Sequence, residues 1–301
     1  MDRLTQMQIF VSVVEAGSIT AAAERLNLAK SAVSRRLAEL EAHLGVSLIQ
    51  RTTRRLNLTD SGRAYYERCV AILADVEDAA AAVSQAHGAL KGRLKVALPL
   101  AFGLLHLTSP IQAFMTRHPE VRLELDFNDR QIDLMQEGFD LAVRIATLED
   151  SSLIARRLAP IRHVVCAGPA YLARRGTPRE AAELAQHDCL AYSNVRDPGL
   201  WHYRAPDGTT GQVRVPVRLA ASSGDFLKCA AVAGEGVVLL PTFYIHEAVR
   251  AGELVTLLAD HVWPELAAYA VYPPTRHLSS RARALIDCLA AHLEGEPYWD
   301  R

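Results

Sequence analysis

Along the first sixteen positions Leu4, Met7, Phe10, Val11 and Val14 recur at steps of three and four. One face of a helix is therefore apolar, and Gly17 followed by Ser18 supplies a stop and then an N-cap. A short second helix is predicted over 19–26, with Ala21, Ala22 and Ala23 giving the small side chains that a close helix crossing needs. Asn27, Leu28 and Ala29 turn the chain into a third helix, from about residue 30 to 43, that stops at Gly45. Its apolar positions Val33, Leu37, Leu40 and Leu44 face inward, which leaves Lys30, Ser31, Ser34 and Arg35 on the outer face near its N-terminus. Residues 47–50 and 56–58 then read as two short strands flanking Arg51, Thr52, Thr53, Arg54 and Arg55, a hairpin with a basic tip.

Beyond Asp60 the pattern changes. Tyr65, Cys69, Ile72, Val76, Ala79, Val83 and Ala86 alternate steps of four and three, with no proline or glycine between Arg63 and His87. This is a heptad seam on a long helix, and so narrow an apolar stripe needs a partner. The simplest partner is a second copy, so a homodimer through 62–86 is expected. Gly88 and Gly92 end the helix, after which strands at 94–98, 121–127, 141–145, 164–167, 213–219, 237–240, 254–257 and 267–272 are predicted. Helices at 110–117, 131–137, 179–186, 224–233, 242–250 and 279–293 alternate with them, which argues for an α/β fold with mainly parallel sheets. The stretch from Val96 to Thr116 carries no charged side chain, but Pro99, His106, Thr108, Ser109, Pro110 and Gln112 make it a poor membrane span. It reads as a buried strand followed by a buried helix, and no membrane partner is expected.

The 301 residues are half hydrophobic and 22% charged, with a formal net charge of -1, so any argument from charge must be local. Between Arg25 and Arg55 seven basic side chains face two acidic ones, a footprint suited to a polyanion. Helix, helix, turn, helix and basic hairpin make a winged helix-turn-helix. Lys30, Ser31, Ser34 and Arg35 are placed to meet base edges in a major groove, and Arg51, Thr52, Thr53, Arg54 and Arg55 suit phosphates or the minor groove. The opening residues carry no basic stretch followed by an apolar run, so a secretory leader is not expected and the cytoplasm is the expected location. Five scattered cysteines without a CxxC pair argue against a disulfide framework or a thiolate metal site, and reduced thiols are expected. No nucleophile elbow, metalloprotease motif, phosphate loop or dinucleotide fingerprint is present. Gly234-Glu235-Gly236 precedes a strand rather than opening a helix, so it is a turn. A protein without enzymatic activity and without cofactors is expected.

The run Ala21-Ala22-Ala23-Glu24-Arg25-Leu26-Asn27-Leu28, followed by Ser31-Ala32-Val33-Ser34-Arg35, Leu40-Glu41, Leu44-Gly45-Val46, Arg51-Thr52-Thr53-Arg54 and Leu58-Thr59-Asp60-Ser61-Gly62, resembles the N-terminal domain of LysR-type transcriptional regulators. Three later stretches are similar to the family's effector domain, a two-lobed α/β fold like type 2 periplasmic binding proteins. They are Pro119-Glu120-Val121-Arg122-Leu123-Glu124-Leu125, Gly138-Phe139-Asp140-Leu141-Ala142-Val143-Arg144 and Ala233-Gly234-Glu235-Gly236-Val237-Val238-Leu239-Leu240-Pro241. The resemblance implies a winged helix at 1–60, a dimerisation helix at 61–90 and an effector domain at 91–301. Its first lobe would take 91–161 and 268–301, and its second 162–267. The partners implied are an operator in double-stranded DNA, a small-molecule effector between the lobes, a second copy with dimers paired into a tetramer, and RNA polymerase. Ala29 and Lys30 stand where many members have Ser and Gln, so the lysine would address guanine or a phosphate in place of an amide.

Ligands of open α/β sheets sit outside the carboxyl ends of strands. That rule makes Leu100, Ala101, Phe102, Asn128, Arg144, Tyr192, His202 and Ser222 candidates for effector binding. Relatives often present Ser or Thr just after the first strand to hold a carboxylate, whereas Pro99-Leu100-Ala101-Phe102 offers no side-chain donor. A more apolar or aromatic molecule stacked on Phe102 is expected instead. Arg144 is the best single anion partner, balanced against a strand-end arginine paired with Asp129 or Asp140. Two rival readings are a thiol redox sensor acting through Cys189 or Cys166, and a two-lobed solute-binding protein that binds no operator.

Overall fold

A computed structural model describes residues 2–51, 56–83, 90–130, 132–147, 153–274 and 278–301. The chain divides into two compact units, 1–92 with 276–280 and 93–275 with 281–301.

The first unit begins with α1 (Arg3–Ala16), capped by the Asp2 carboxylate, which accepts from Leu4 N at 3.2 Å. Ser18 Oγ accepts from Ala21 N at 3.1 Å to open α2 (Ile19–Arg25), and α3 (Lys30–Leu44) ends at Gly45 with φ 70°. Ala29 makes no side-chain cap on α3, as expected of a residue without a hydroxyl. β1 (Ile49–Arg51) pairs antiparallel with β2 (Leu56–Leu58). Phe10, Val13, Ala22, Val33 and Leu40 have no exposed surface and form the core with Leu37 and Leu48.

The following helix α4 (Asp60–Val83) departs from the expected seam at its start. Cys69 is buried in the winged-domain core, and Tyr65 packs on Phe10 with ring centroids 5.6 Å apart. The first heptad is therefore used within its own domain. Ile72 and Val76 stand 39% and 43% exposed, while Ala86 lies outside the described residues. Gly62 lets α4 pass directly over the wing, since a Cβ there would lie 1.9 Å from the Leu48 carbonyl oxygen.

The second unit opens with β3 (Gly92–Leu98), which leads into α5 (Leu100–Phe102), a π-helical turn (Gly103–Leu107) and α6 (Thr108–Arg117) as one helical run. Then come β4 (Val121–Phe127), β5 (Leu141–Ala146), β6 (Ile154–Ile161), β7 (His163–Ala167), α7 (Pro169–Arg175) and a 3-10 segment (Ala181–Gln186). They are followed by β8 (Cys189–Tyr192), β9 (Leu200–Arg204), β10 (Thr210–Arg214), β11 (Val217–Ala221), α8 (Gly224–Val232), β12 (Val237–Pro241) and α9 (Thr242–Arg250). The chain closes with β13 (Val255–Leu257), β14 (Leu266–Tyr272), α10 (Ser280–His292) and a 3-10 turn (Tyr298–Asp300).

Two five-stranded sheets result, β4-β3-β5-β14-β6 and β11-β8-β12-β7-β13, so each is one lobe and the chain passes between them at β6–β7 and at β13–β14. The sheets are mixed rather than mainly parallel. β14 runs antiparallel to β5 and β6, and β7 runs antiparallel to β12 and β13, because both elements sit at a crossing between lobes. The predicted strand at 213–219 is broken by Pro216, which cannot donate to a ladder, and becomes β10 and β11. Residues 132–137 form turns in place of the predicted helix, with the Asp133 carboxylate accepting from Met135 N and Gln136 N, each at 3.0 Å.

Candidate DNA-binding face and effector cleft

On α3, Lys30, Ser31 and Arg35 are exposed and Ser34 is half-buried, while Val33 and Leu37 pack behind them. Among the described residues Arg35 is held only by a 3.7 Å contact with Glu39 across one turn, and its side chain is 72% exposed, so that contact can be exchanged for another anion. The end of α3 does different work. Glu41 Oε1 accepts from Leu48 N at 2.7 Å and from Ile49 N at 3.1 Å, tying the recognition helix to β1. Thr59 Oγ1 donates to the Ser47 carbonyl at 2.7 Å and accepts from Gly62 N at 2.9 Å, which joins the wing to α4. One carboxylate thus ties the wing to α3 and one hydroxyl ties it to α4. Arg51 ends β1, and Thr52, Thr53, Arg54 and Arg55 lie outside the described residues.

In the second unit a cavity of about 960 Å³ opens between the two sheets at strand ends. Asn128, Arg144, Tyr192 and His202 line it; Leu100, Ala101, Phe102 and Ser222 do not. Phe102 is not available for stacking. Its ring is fully buried, edge-on to Phe243 at 5.2 Å and to Trp299 at 5.7 Å, because the helical run after β3 turns that face into the core. Arg144 donates through Nη2 to the Ile132 carbonyl, a backbone partner that the sequence did not suggest. Arg130 is gripped through both terminal nitrogens by Glu137, and Asp197 is paired with Arg214 at 2.7 Å. His163 donates from Nδ1 to the Pro264 carbonyl oxygen at 2.9 Å, and burial pushes its pKa down to about 4. A ring nitrogen facing a carbonyl must carry the proton, so Nδ1 is the donor.

Asp129, which the sequence offered within the stretch after the second strand and as a partner for Arg144, also lines the cavity, as does Tyr244, which the sequence did not single out. Asp129 follows β4 and accepts from Leu100 N at 3.0 Å, a contact across 29 positions that no local pattern encodes. Burial holds its carboxyl above the usual range, the Leu100 N–H opposes this, and the Asp225 charge adds to it. Burial also raises the Tyr192 and Tyr244 hydroxyls, with the Asp129 charge reinforcing both.

The two thiols that the sequence offered for a sensor do not fit one. Cys166 and Cys189 have no exposed surface, and burial pushes each up to about 12, so neither offers an accessible thiolate.

A winged helix-turn-helix with an open polar face, followed in the same chain by two α/β lobes around a cavity, defines the class of ligand-responsive DNA-binding regulators. Residues 4–63 match the family model for bacterial regulatory helix-turn-helix proteins of the lysR family, and 87–294 match that for the LysR substrate binding domain. An HTH-type transcriptional regulator of Haemophilus influenzae is 36% identical, with 92% of this chain and 96% of that protein covered. The HTH-type transcriptional regulator CrgA of Neisseria meningitidis is also 36% identical, over 96% of each chain. The solved structure of CrgA superposes with a TM-score of 0.62 at 34% identity over 98% of this chain and all of that one. The full-length virulence activator AphB of Vibrio cholerae gives 0.60 at 26% identity, over 97% of this chain and 100% of that one. The chain belongs to the LysR family of transcriptional regulators. The helix-turn-helix match removes the reading of a solute-binding protein without an operator. Among the described residues no helix is long and apolar enough to cross a membrane.

Proposed function

We infer that the protein reads its operator through the N-terminal half of α3 and anchors on the backbone through the wing. The observation that carries this is the polar, cationic face of α3, with Lys30, Ser31 and Arg35 exposed over a core that holds the helix rigidly. Arg51, Thr52, Thr53, Arg54 and Arg55 supply the sequence-independent part of the affinity. The protein acts in the cytoplasm as a dimer, and the exposed Ile72 and Val76 on α4 support a partner along that helix. Dimers pair into tetramers and engage RNA polymerase in the same assembly.

The cleft takes a small-molecule effector, which shifts the relative arrangement of the lobes and with it the spacing of the two winged helices. The protein acts by binding rather than by turnover. In support, Arg130, Arg144 and Asp197 are engaged with protein groups, so the cleft's charges orient a ligand instead of attacking it.

The test is selection of duplexes from a random pool with the full-length protein, followed by anisotropy across a salt series. Arg35→Ala should flatten the preference among duplexes, with a loss of about 1–3 kcal/mol at one base position. Arg54→Ala should weaken binding to all duplexes and lower the salt slope by about one. Binding that is indifferent to salt, or an Arg35→Ala variant with unchanged sequence preference, would overturn the assignment.

A further inference from the structure

We propose that the cleft selects an apolar, ring-sized effector whose head group donates hydrogen bonds, as a hydroxyl or an ammonium does, and turns away carboxylates. This rests on the reading of the cavity as the effector site, and it names the chemistry of the molecule that enters.

The helical run after β3 starts at this cavity and α8 starts behind Tyr244, which lines it, and the N–H groups at helix starts are where an anionic ligand would ordinarily be held. At each, one of these N–H groups is taken by the chain itself. After β3, Pro99 has no N–H to offer, and Leu100 N donates to Asp129 Oδ1 at 3.0 Å. At α8, Ser223 Oγ accepts from Phe226 N at 3.2 Å, and the Tyr244 ring packs against Gly224 in the first turn. Gly224 is what permits that approach, since a Cβ there would stand 2.4–2.8 Å from the Tyr244 ring atoms. One polar pole of the cavity is Asp129 with the Tyr192 and Tyr244 phenols, and Asp129 is its one acidic group.

A carboxylate at this pole would meet a half-buried carboxylate already committed to a backbone amide, and like charges at close range in a poorly solvated site repel strongly. A hydroxyl or ammonium would donate to the same group. Of the cations that line the cavity, Arg130 is held by Glu137, Arg144 directs Nη2 to the Ile132 carbonyl while keeping its charge, and Arg196 stands exposed at the rim. Leu98, Ala142, Leu239 and Leu240 give the cavity apolar walls, and about 960 Å³ admits a bicyclic molecule.

The experiment titrates the full-length protein with three compounds that share one ring system: 2-naphthylmethanol, 2-naphthylmethylamine and 2-naphthoate. Isothermal calorimetry should show the alcohol or the amine binding about tenfold or more tighter than the carboxylate. Asp129→Asn keeps an acceptor for Leu100 N and removes the charge. It should bring the carboxylate to within about threefold of the alcohol and weaken the amine by about tenfold, while a dominant hydroxyl contact would leave the alcohol nearly unchanged. Asp129→Ser serves as a second variant should Asn disturb the fold, with apo thermal unfolding as the check. A carboxylate that binds the wild type as tightly as its partners, an unchanged ranking in both variants, or no binding by any of the three would overturn the selectivity. Val195→Trp at the cavity rim separates the two claims. If the winning compound binds equally well to that variant, the cavity is not the effector site and the reading beneath the proposal falls. If binding is lost but the carboxylate had won, the site stands and only the selectivity fails.

Discussion

Removing the Glu41 side chain should loosen the winged domain and flatten its DNA affinity without changing its sequence preference. Glu41 is on the recognition helix, but its carboxylate faces away from the DNA-reading residues and accepts from Leu48 N and Ile49 N at 2.7 and 3.1 Å. Leu48 and Ile49 are 1% and 6% exposed, so their amides have little access to water once that acceptor is gone. A hydrogen bond to a charged group contributes about 1.5–3 kcal/mol, and an orphaned buried donor costs about 1–3 kcal/mol. Glu41 is half-buried, which lets some water reach the gap, so Glu41→Ala should cost about 2–4 kcal/mol rather than the sum of those ranges. Glu41→Gln keeps one carbonyl oxygen as acceptor and should cost about 1 kcal/mol. Hydrogen–deuterium exchange on the peptide spanning residues 47–51 reads this directly, with protection falling by roughly a hundredfold in the alanine variant and by severalfold in the glutamine one. Anisotropy against a selected and a scrambled duplex should show both affinities falling together, because the wing is displaced while Arg35 and its neighbours are not. Unchanged protection in Glu41→Ala, or a Gln variant as damaged as Ala, would refute the claim that this carboxylate positions the wing.

The same junction predicts that Gly62→Ala is severe, since its Cβ would sit 1.9 Å from the Leu48 carbonyl oxygen; α4 or the wing must move, and chemical denaturation should show a loss of more than about 3 kcal/mol. His106 has 3% of its surface exposed, shares a 2.6 Å hydrogen bond between Nδ1 and the Tyr298 hydroxyl, and is pushed down to about 4 chiefly by burial, with His246 and His292 adding to the effect. Its folded pKa lies below its free value of about 6.5, so the unfolded chain binds the extra proton, and stability should be complete above pH 6.5 and fall as the pH drops toward 4. His106→Gln should flatten that part of the stability profile, and an unflattened profile would place the titration elsewhere. Cys189 is fully buried with its thiol pushed up to about 12, so peroxide at neutral pH should leave DNA binding unchanged and Cys189→Ser should behave like the wild type.

What the sequence disclosed and what it hid follow from the range of the interactions involved. The winged domain is built from helices whose apolar spacing and caps are local, so Ser18, Gly45 and the inward set Val33, Leu37 and Leu40 could be placed from pattern alone. β6 escaped because Arg156 and Arg157 interrupt its apolar alternation, and its pairing partner β14 is about a hundred positions away. The heptad seam on α4 was read as one surface, yet Tyr65 and Cys69 are claimed by Phe10 and the winged core; periodicity states which face of a helix is apolar but not which neighbour covers it. The cleft shows the same limit more sharply. The rule that ligands sit at strand ends found Asn128, Arg144 and Tyr192, because that rule depends only on where strands stop. It failed for Phe102, whose direction is set by the helical run that begins at Leu100, and it offered Asp129 only as a strand-end position or a partner for Arg144, because the contact with Leu100 N appears only when two strand ends meet. The missing hydroxyl after β3 and the carboxylate after β4 are therefore one feature seen from two sides. A chain with no donor side chain at 99–102 and its own anion on Leu100 N has changed what the pole of its cleft can hold, and neither half of that change is interpretable alone.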